Sequence, residues 1–410
     1  MARVLERAGS EQHDRDRKPH PLLRRDRIGL ALALAWFVTV LAIGETGDLS
    51  SEASRMLAIF GAAVVLWVSE AIPLAATSIS VILAEILLIS DQAIVDTSDG
   101  FEAPPYATIY ATLAHPVLIL FLGGFVLAQA AANHQLDRAL AGFLLSSFTT
   151  STGALVGGLM GITAVLSMFM SNTATTAAML AVVLPLAARL DRADPMRVGL
   201  VLCVPIAANV GGIGTPVGTP PNAIALGRLA DEGIDIDFVR WMLFAVPVAA
   251  VTLIVSWFVI TRRYPGATDS IELDIGGSVQ RSRDATIVAA VFGLTVLGWV
   301  TEPLHGVPSA VVGFTPVVVL LSTKVVGVDD LRRLDWHVLW LVGGGIALGN
   351  GVASSGLDAW FVGLLDWGSL PSLGILVGLA VLGLGLSTVI SNSATANLVV
   401  PIGVGLSTSA

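Results

Sequence analysis

The chain has 410 residues, of which 54% are hydrophobic and only 13% charged, with a formal net charge of −9. A soluble domain carries about 25% charged residues, so this composition excludes a water-soluble fold and points to lipid as the solvent. The single cysteine, Cys203, excludes an internal disulfide and a thiolate metal cluster, and reads as a small apolar core residue.

Residues 1–27 are polar and Arg-rich, with no short apolar region followed by a cleavage site, so they read as a disordered cytoplasmic arm and not as a signal peptide. A helix needs about 20 apolar residues to cross the hydrocarbon core. Apolar runs follow at 28–44, 56–68, 73–89 and 115–132, then a long one at 153–190. The next, 198–229, is interrupted by a Gly- and Pro-rich break, and 239–260 is an ordinary span. Beyond a polar linker at 263–283, taken as cytoplasmic, come 285–300, 307–321, 337–352 and 373–406. The predicted fold class is an all-α polytopic membrane protein.

Charge sets the orientation, because cytoplasmic loops collect Lys and Arg. Arg24, Arg25 and Arg27, then Arg189, Arg192 and Arg197, then Arg262, Arg263, Arg281 and Arg283, and finally Lys324, Arg332 and Arg333 form basic clusters, with acidic loops between them. All fall on one side only if 153–190 enters and leaves the membrane from that side. That region is therefore predicted to be a re-entrant hairpin. The N-terminus is placed in the cytoplasm, and the membrane is taken as a bacterial-type inner or plasma membrane.

The sequence repeats itself. Leu166-Ser167-Met-Phe-Met-Ser171-Asn172-Thr173-Ala174-Thr175 aligns with Leu386-Ser387-Thr-Val-Ile-Ser391-Asn392-Ser393-Ala394-Thr395, from 171 to 391 at an offset of 220. Upstream, Gly123-Gly124 and Leu136-Asp137 align with Gly344-Gly345 and Leu357-Asp358, and Trp67-Val-Ser-Glu70 with Trp299-Val-Thr-Glu302. Counting spans from the arm makes the copies inverted, so the domains are expected to be the arm 1–27, a first repeat 28–262 with hairpin 153–190 and broken helix 198–229, the linker 263–283, and an incomplete second repeat 284–410 with hairpin 373–406. Inverted repeats with broken helices mark secondary transporters, whose sites lie near the midplane.

Two elements carry the chemistry. Ser171-Asn172-Thr173 interrupts an apolar run at its middle, where polarity is expensive. It reads as a hairpin tip, with the second half-helix beginning at Thr173 or just after. Free N–H groups and the positive dipole end there attract an anion, while Ser and Asn oxygens suit a hard cation. The second element, Ala208 to Asn222, holds Gly211, Gly212, Gly214, Gly218 and Pro216, Pro220, Pro221, through which no α-helix continues at full strength. Its freed carbonyls suit sodium, and the N–H groups of the following half-helix suit an anion. A proline kink without a ligand accounts for one Pro and not for this cluster. Neither 153–188 nor 198–226 contains Lys or Arg, so a bound dianion would need cations and helix termini for compensation. His115 reads as a packed or interfacial residue; Asp137 and Asp358 are expected at span ends, and Glu70 and Glu302 are given no transport role.

At these residues the sequence resembles the divalent anion:sodium symporter family. The likeness runs from Trp67 to the C-terminus, on Trp67-Val-Ser-Glu-Ala-Ile-Pro-Leu74, Leu122-Gly-Gly-Phe-Val-Leu-Ala128, the two Ser-Asn motifs and Thr219-Pro-Pro-Asn-Ala-Ile224. The resemblance implies a homodimer whose transport domain moves like an elevator against a scaffold. It implies sodium-coupled carriage of di- or tricarboxylates such as succinate, malate or citrate, or of sulfate. Carried over by position, sodium would be held by Ser167, Ser171, Asn172 and Gly218, and in the second repeat by Ser387, Ser391 and Asn392. Substrate would meet Asn172, Thr173, Thr219, Asn392 and Ser393. Sodium is co-transported, and no organic cofactor and no nucleic acid are expected.

Ser393 stands where many members have Thr, which keeps the hydroxyl. The family continues past the second tip with another broken helix and a last span, so the chain is expected to be a truncated gene product or an incomplete sequence. The competing readings are an exchanger or sulfate carrier on the same fold, or a transport-inactive fragment acting as an assembly partner. No metal-spaced His cluster or nucleophile–base pair supports an enzyme.

Overall fold

The computed structural model describes residues 23–45, 49–136, 151–266, 282–363 and 371–409. Their regular structure is helical, with no strand among the described residues. Six helices are long and apolar enough to cross a membrane: Arg24–Ile43, Ser51–Ser69, Tyr106–Asn133, Phe238–Arg263, Arg283–Val300 and Trp336–Ser354. Their outward faces stay apolar, with Leu243, Phe244, Val251 and Leu294 more than half exposed. That is the surface a lipid-embedded helix presents, and the protein is an integral membrane protein.

In chain order, α1 (Arg24–Ile43) lies against α2 (Ser51–Ser69), which turns into α3 (Leu74–Leu88). The basic residues Arg24–Arg27, expected in the arm, are instead the first turn of α1, where Asp26 accepts from the Leu23 N–H. The rest of the arm, to residue 22, lies outside the described residues. A short helix, α4 (Tyr106–Ala111), leads to α5 (Pro116–Asn133). Then come α6 (Thr152–Ser167), α7 (Asn172–Arg189), α8 (Met196–Gly212), α9 (Pro220–Asp231) and α10 (Phe238–Arg263). Asp137 and most of the linker, 267–281, lie outside the described residues. The second half has α11 (Arg283–Val300), α12 (Glu302–His305), α13 (Ser309–Ser322), α14 (Val328–Arg332), α15 (Trp336–Ser354), α16 (Leu357–Gly363), α17 (Ser372–Ser387) and α18 (Asn392–Ser409). Asp358 sits in the first turn of α16.

The repeat seen in the sequence recurs in contacts. Trp67 and Trp299 are both fully buried. The Trp67 indole N–H donates to the Leu74 carbonyl, the first residue of α3, at 3.3 Å. The Trp299 indole N–H donates to the Ser309 carbonyl, the first residue of α13, at 3.0 Å. Four residues further on, each helix meets a glycine of the other matched pair. A Cβ added to Gly123 on α5 would lie 1.7 Å from Gly313 O on α13. One added to Gly344 on α15 would lie 2.3 Å from Ser78 Cβ on α3. Close helix contact through small residues is the usual packing device where lipid removes the hydrophobic drive. The broken segments match as well: α6 and α17 begin at 152 and 372, and α7 and α18 at 172 and 392, again 220 apart.

Candidate functional site

Both interruptions read from the sequence are breaks in the helices. α6 ends at Ser167 and α7 begins at Asn172, one residue earlier than the sequence suggested. The reason is the cap: Ser171 is extended (φ −60°, ψ 144°) and its Oγ accepts from the Ala174 N–H at 3.3 Å. Ser391 does the same for Ala394 at 3.2 Å. With Ser as the cap, the Asn side chain that follows is free to look elsewhere. The N–H groups of Asn172 and Thr173, and of Asn392 and Ser393, have no hydrogen bond among the described residues. Each tip therefore carries a pair of unsatisfied donors at a positive helix end.

At the first tip these atoms converge on α8. Ser167 is fully buried, and its Oγ lies 2.7 Å from the Ala208 carbonyl and 2.9 Å from Asn172 Oδ1. A hydroxyl has one proton, so it satisfies one of these acceptors at a time. Asn172 Nδ2 donates to Asn209 Oδ1 at 3.1 Å. Glycines let the backbone reach this cluster. A Cβ on Gly212 would lie 2.5 Å from Asn172 Oδ1 and 3.2 Å from Gly218 O, and one on Gly218 would lie 2.4 Å from Gly212 O. Ser167, Asn172 and the Gly212–Gly218 turn are thus brought together as a cluster rich in oxygen. Such a cluster suits a hard cation.

The turn between α8 and α9 is itself fastened. Asn222 Nδ2 donates to Gly212 O (2.9 Å) and Thr215 O (2.8 Å), and the Thr215 hydroxyl donates to Met168 O at the end of α6. The Trp241 indole holds Ile213 O at 3.0 Å. The sequence reading missed Ala208, Asn209, Thr215 and Asn222 as working parts, although all four lie in the Gly/Pro segment it singled out. One expectation needs correction. The start of α9 does not offer a set of free N–H groups: Pro220 and Pro221 have none, and the Asn222 N–H donates to Thr219 O at 3.1 Å. What remains there is the dipole and the Thr219 hydroxyl, which makes no capping bond.

The second tip shares the cap but not the cluster. Ser387 Oγ donates to Leu384 O of its own helix at 3.1 Å, and Asn392 is exposed. No hydrogen bond joins the two tips among the described residues. α9 packs directly on α18, with Ala223 and Ile224 in one apolar cluster with Ala396, so the starts of these two helices are neighbours. Two further matched residues, Thr175 and Thr395, are buried with hydroxyls that lack a partner. They stand at the end of the repeated motif, and that repetition was the available signal. His115 is more specific than a packing residue: its Nδ1 accepts from the Val117 N–H at 3.3 Å, and its Nε2 lies 3.6 Å from Asp231 Oδ1. Arg228, just beyond the stretch noted for lacking basic residues, is 5% exposed. It bonds Asn350 Oδ1 (3.1 Å) and Glu232 Oε1 (2.5 Å).

A family model described as citrate transporter matches residues 64–410. The chain belongs to the citrate transporter family. It is a transporter and not an enzyme, in accord with the symporter resemblance of its motifs. Among curated proteins, a sodium-dependent dicarboxylate transporter of Staphylococcus saprophyticus is 29% identical over 417 aligned positions, covering 92% of this chain and 77% of that protein. Another so named, from Staphylococcus aureus, is 28% identical over 425 positions, covering 95% and 79%. In this citrate transporter family chain the matched region starts within α2 and takes in both tips and the α8–α9 break.

Proposed function

We propose that the chain is a secondary active transporter that moves small dianions, of the C4-dicarboxylate or citrate class, coupled to sodium. The observation that carries this is the proton shortage at the first tip, where one Ser167 hydroxyl proton lies between Ala208 O and Asn172 Oδ1. A sodium ion there, held by Ser167, Ser171, Asn172 and Gly218, supplies the positive charge that the oxygens lack. It also compensates a carboxylate placed on the free N–H groups of Asn172 and Thr173, with Thr219 alongside. The second tip supplies Asn392 and Ser393 to substrate, and Ser387, Ser391 and Asn392 to a second ion. The equal 220-residue spacing of the two broken segments supports the repeat; the reading takes the copies as inverted, with α6–α7 and α17–α18 as re-entrant hairpins in a dimer that moves its tips past a fixed scaffold. The names of the two staphylococcal relatives support both the ion and the substrate class.

The test is uptake of radiolabelled succinate or citrate into proteoliposomes with sodium outside, and with choline in its place. Sodium-dependent accumulation is expected. Equal accumulation in choline would remove sodium from the reading.

A further inference from the structure

A cavity lined in part by polar side chains, which shares no residue with the tips, lies between α3, α4 and α15. It measures about 110 Å³, and Glu85, Thr108, Thr112, Asn350, Gly351 and Ser354 are among its lining. That volume holds a small ion with several waters. Glu85 is 2% exposed, and its Oε1 has no hydrogen-bond partner among the described residues. It takes part in no ion pair among them either. A buried carboxylate left in this way is costly unless something neutralises it.

The hydroxyls around it donate elsewhere. Thr108 Oγ1 donates to Pro105 O (2.7 Å), Thr112 Oγ1 to Ile109 O (2.7 Å) and Ser354 Oγ to Gly351 O (3.3 Å). In these bonds each turns its lone pairs to the cavity. Asn350 Oδ1 is occupied by Arg228, whose charge is already matched by Glu232 at 2.5 Å. What is left is a buried carboxyl and the lone pairs of three hydroxyls, beside the Asn350 side-chain amide. We infer that this cavity binds a monovalent metal cation on Glu85, Thr108 and Thr112, and that the ion ties α3 to α4 and the turn that follows it. This rests on the cavity alone and holds whether or not the tips bind sodium.

The experiment uses the full chain in detergent, with both tips weakened by Asn172→Ala and Asn392→Ala. Thermal unfolding is followed as sodium or potassium replaces choline, which is too bulky for the cavity, at constant ionic strength. A saturable rise in Tm is expected. Adding Glu85→Gln should raise the half-saturating concentration at least about tenfold, the loss of one charged ligand. Thr108→Val, a milder change at an exposed residue, should raise it by a smaller factor and serves if Glu85→Gln does not fold. The inference is overturned if the rise survives Glu85→Gln unchanged. It is also overturned if neither metal ion raises Tm and acidification alone does, since the cavity then takes a proton.

Discussion

Asn172 is the residue on which the first tip turns. It joins the end of α6, through Ser167, to Asn209 on α8. Asn172→Ala is expected to weaken sodium and dianion binding together, by about 1.5–3 kcal/mol or roughly tenfold or more, measured by equilibrium binding to the purified chain. Unchanged dianion affinity would reduce Asn172 to a packing residue. Gly212 gives a sharper steric test. Its added methyl would lie 2.5 Å from Asn172 Oδ1, whereas one on Gly161 meets nothing within 4 Å. Gly212→Ala should abolish uptake while Gly161→Ala leaves it near normal; equal activity in the two would show that the cluster tolerates displacement. Ser167 and Asn172 were legible because they repeat. Asn209 and Asn222 were not, because a partner 37 or 10 residues away is fixed only when the helices meet.

Among elements, the matched glycine contacts hold the two halves in register. Gly123 seats α5 on α13 and Gly344 seats α15 on α3. Gly123→Ala meets a backbone carbonyl, which cannot rotate away, so the helices must part. A loss of about 1–3 kcal/mol is expected, seen as a lower Tm in detergent, while Gly293→Ala, in open space, should be near neutral. A Tm for Gly123→Ala equal to that of Gly293→Ala would refute the close approach. Outside the spans, Asp330 caps α14 from the Gly327 N–H and accepts from Asn133 at the end of α5. These bonds, the Gly327 one foremost, hold its carboxyl below the ordinary carboxylate value. A depressed carboxylate stabilises above its ordinary range and ceases to as pH falls through the folded value. Asp330→Asn should therefore flatten part of the acid-side fall in Tm, and an unaltered acid limb would contradict this.

For the whole molecule, the basic clusters predict that the N-terminal arm and the 263–283 linker lie on the cytoplasmic side. Single cysteines placed in each, in a Cys203→Ser background, should resist impermeant maleimide added to intact cells and react after permeabilisation. Labelling of either from outside would overturn the orientation. The background is workable because Cys203 is buried against the carbonyl of Leu200, three residues earlier, and Ser keeps a donor of similar size there.

The sequence by itself determined the lipid solvent, the order of the helices, both breaks and the repeat. Composition, run length and Gly/Pro or Ser-Asn interruptions act locally along the chain, so no partner is needed to read them. Only the tertiary structure decided which oxygens meet. It gave Ser167 two acceptors for one proton and left Ser387 bonded to its own helix, although the two stand in the same motif. It also buried Arg228 against Asn350 and left Glu85 facing a cavity, far from either motif in sequence. A buried polar atom's environment is made by whichever helix packs over it, and in a membrane that packing depends on shape and hydrogen bonding more than on any pattern written along one segment.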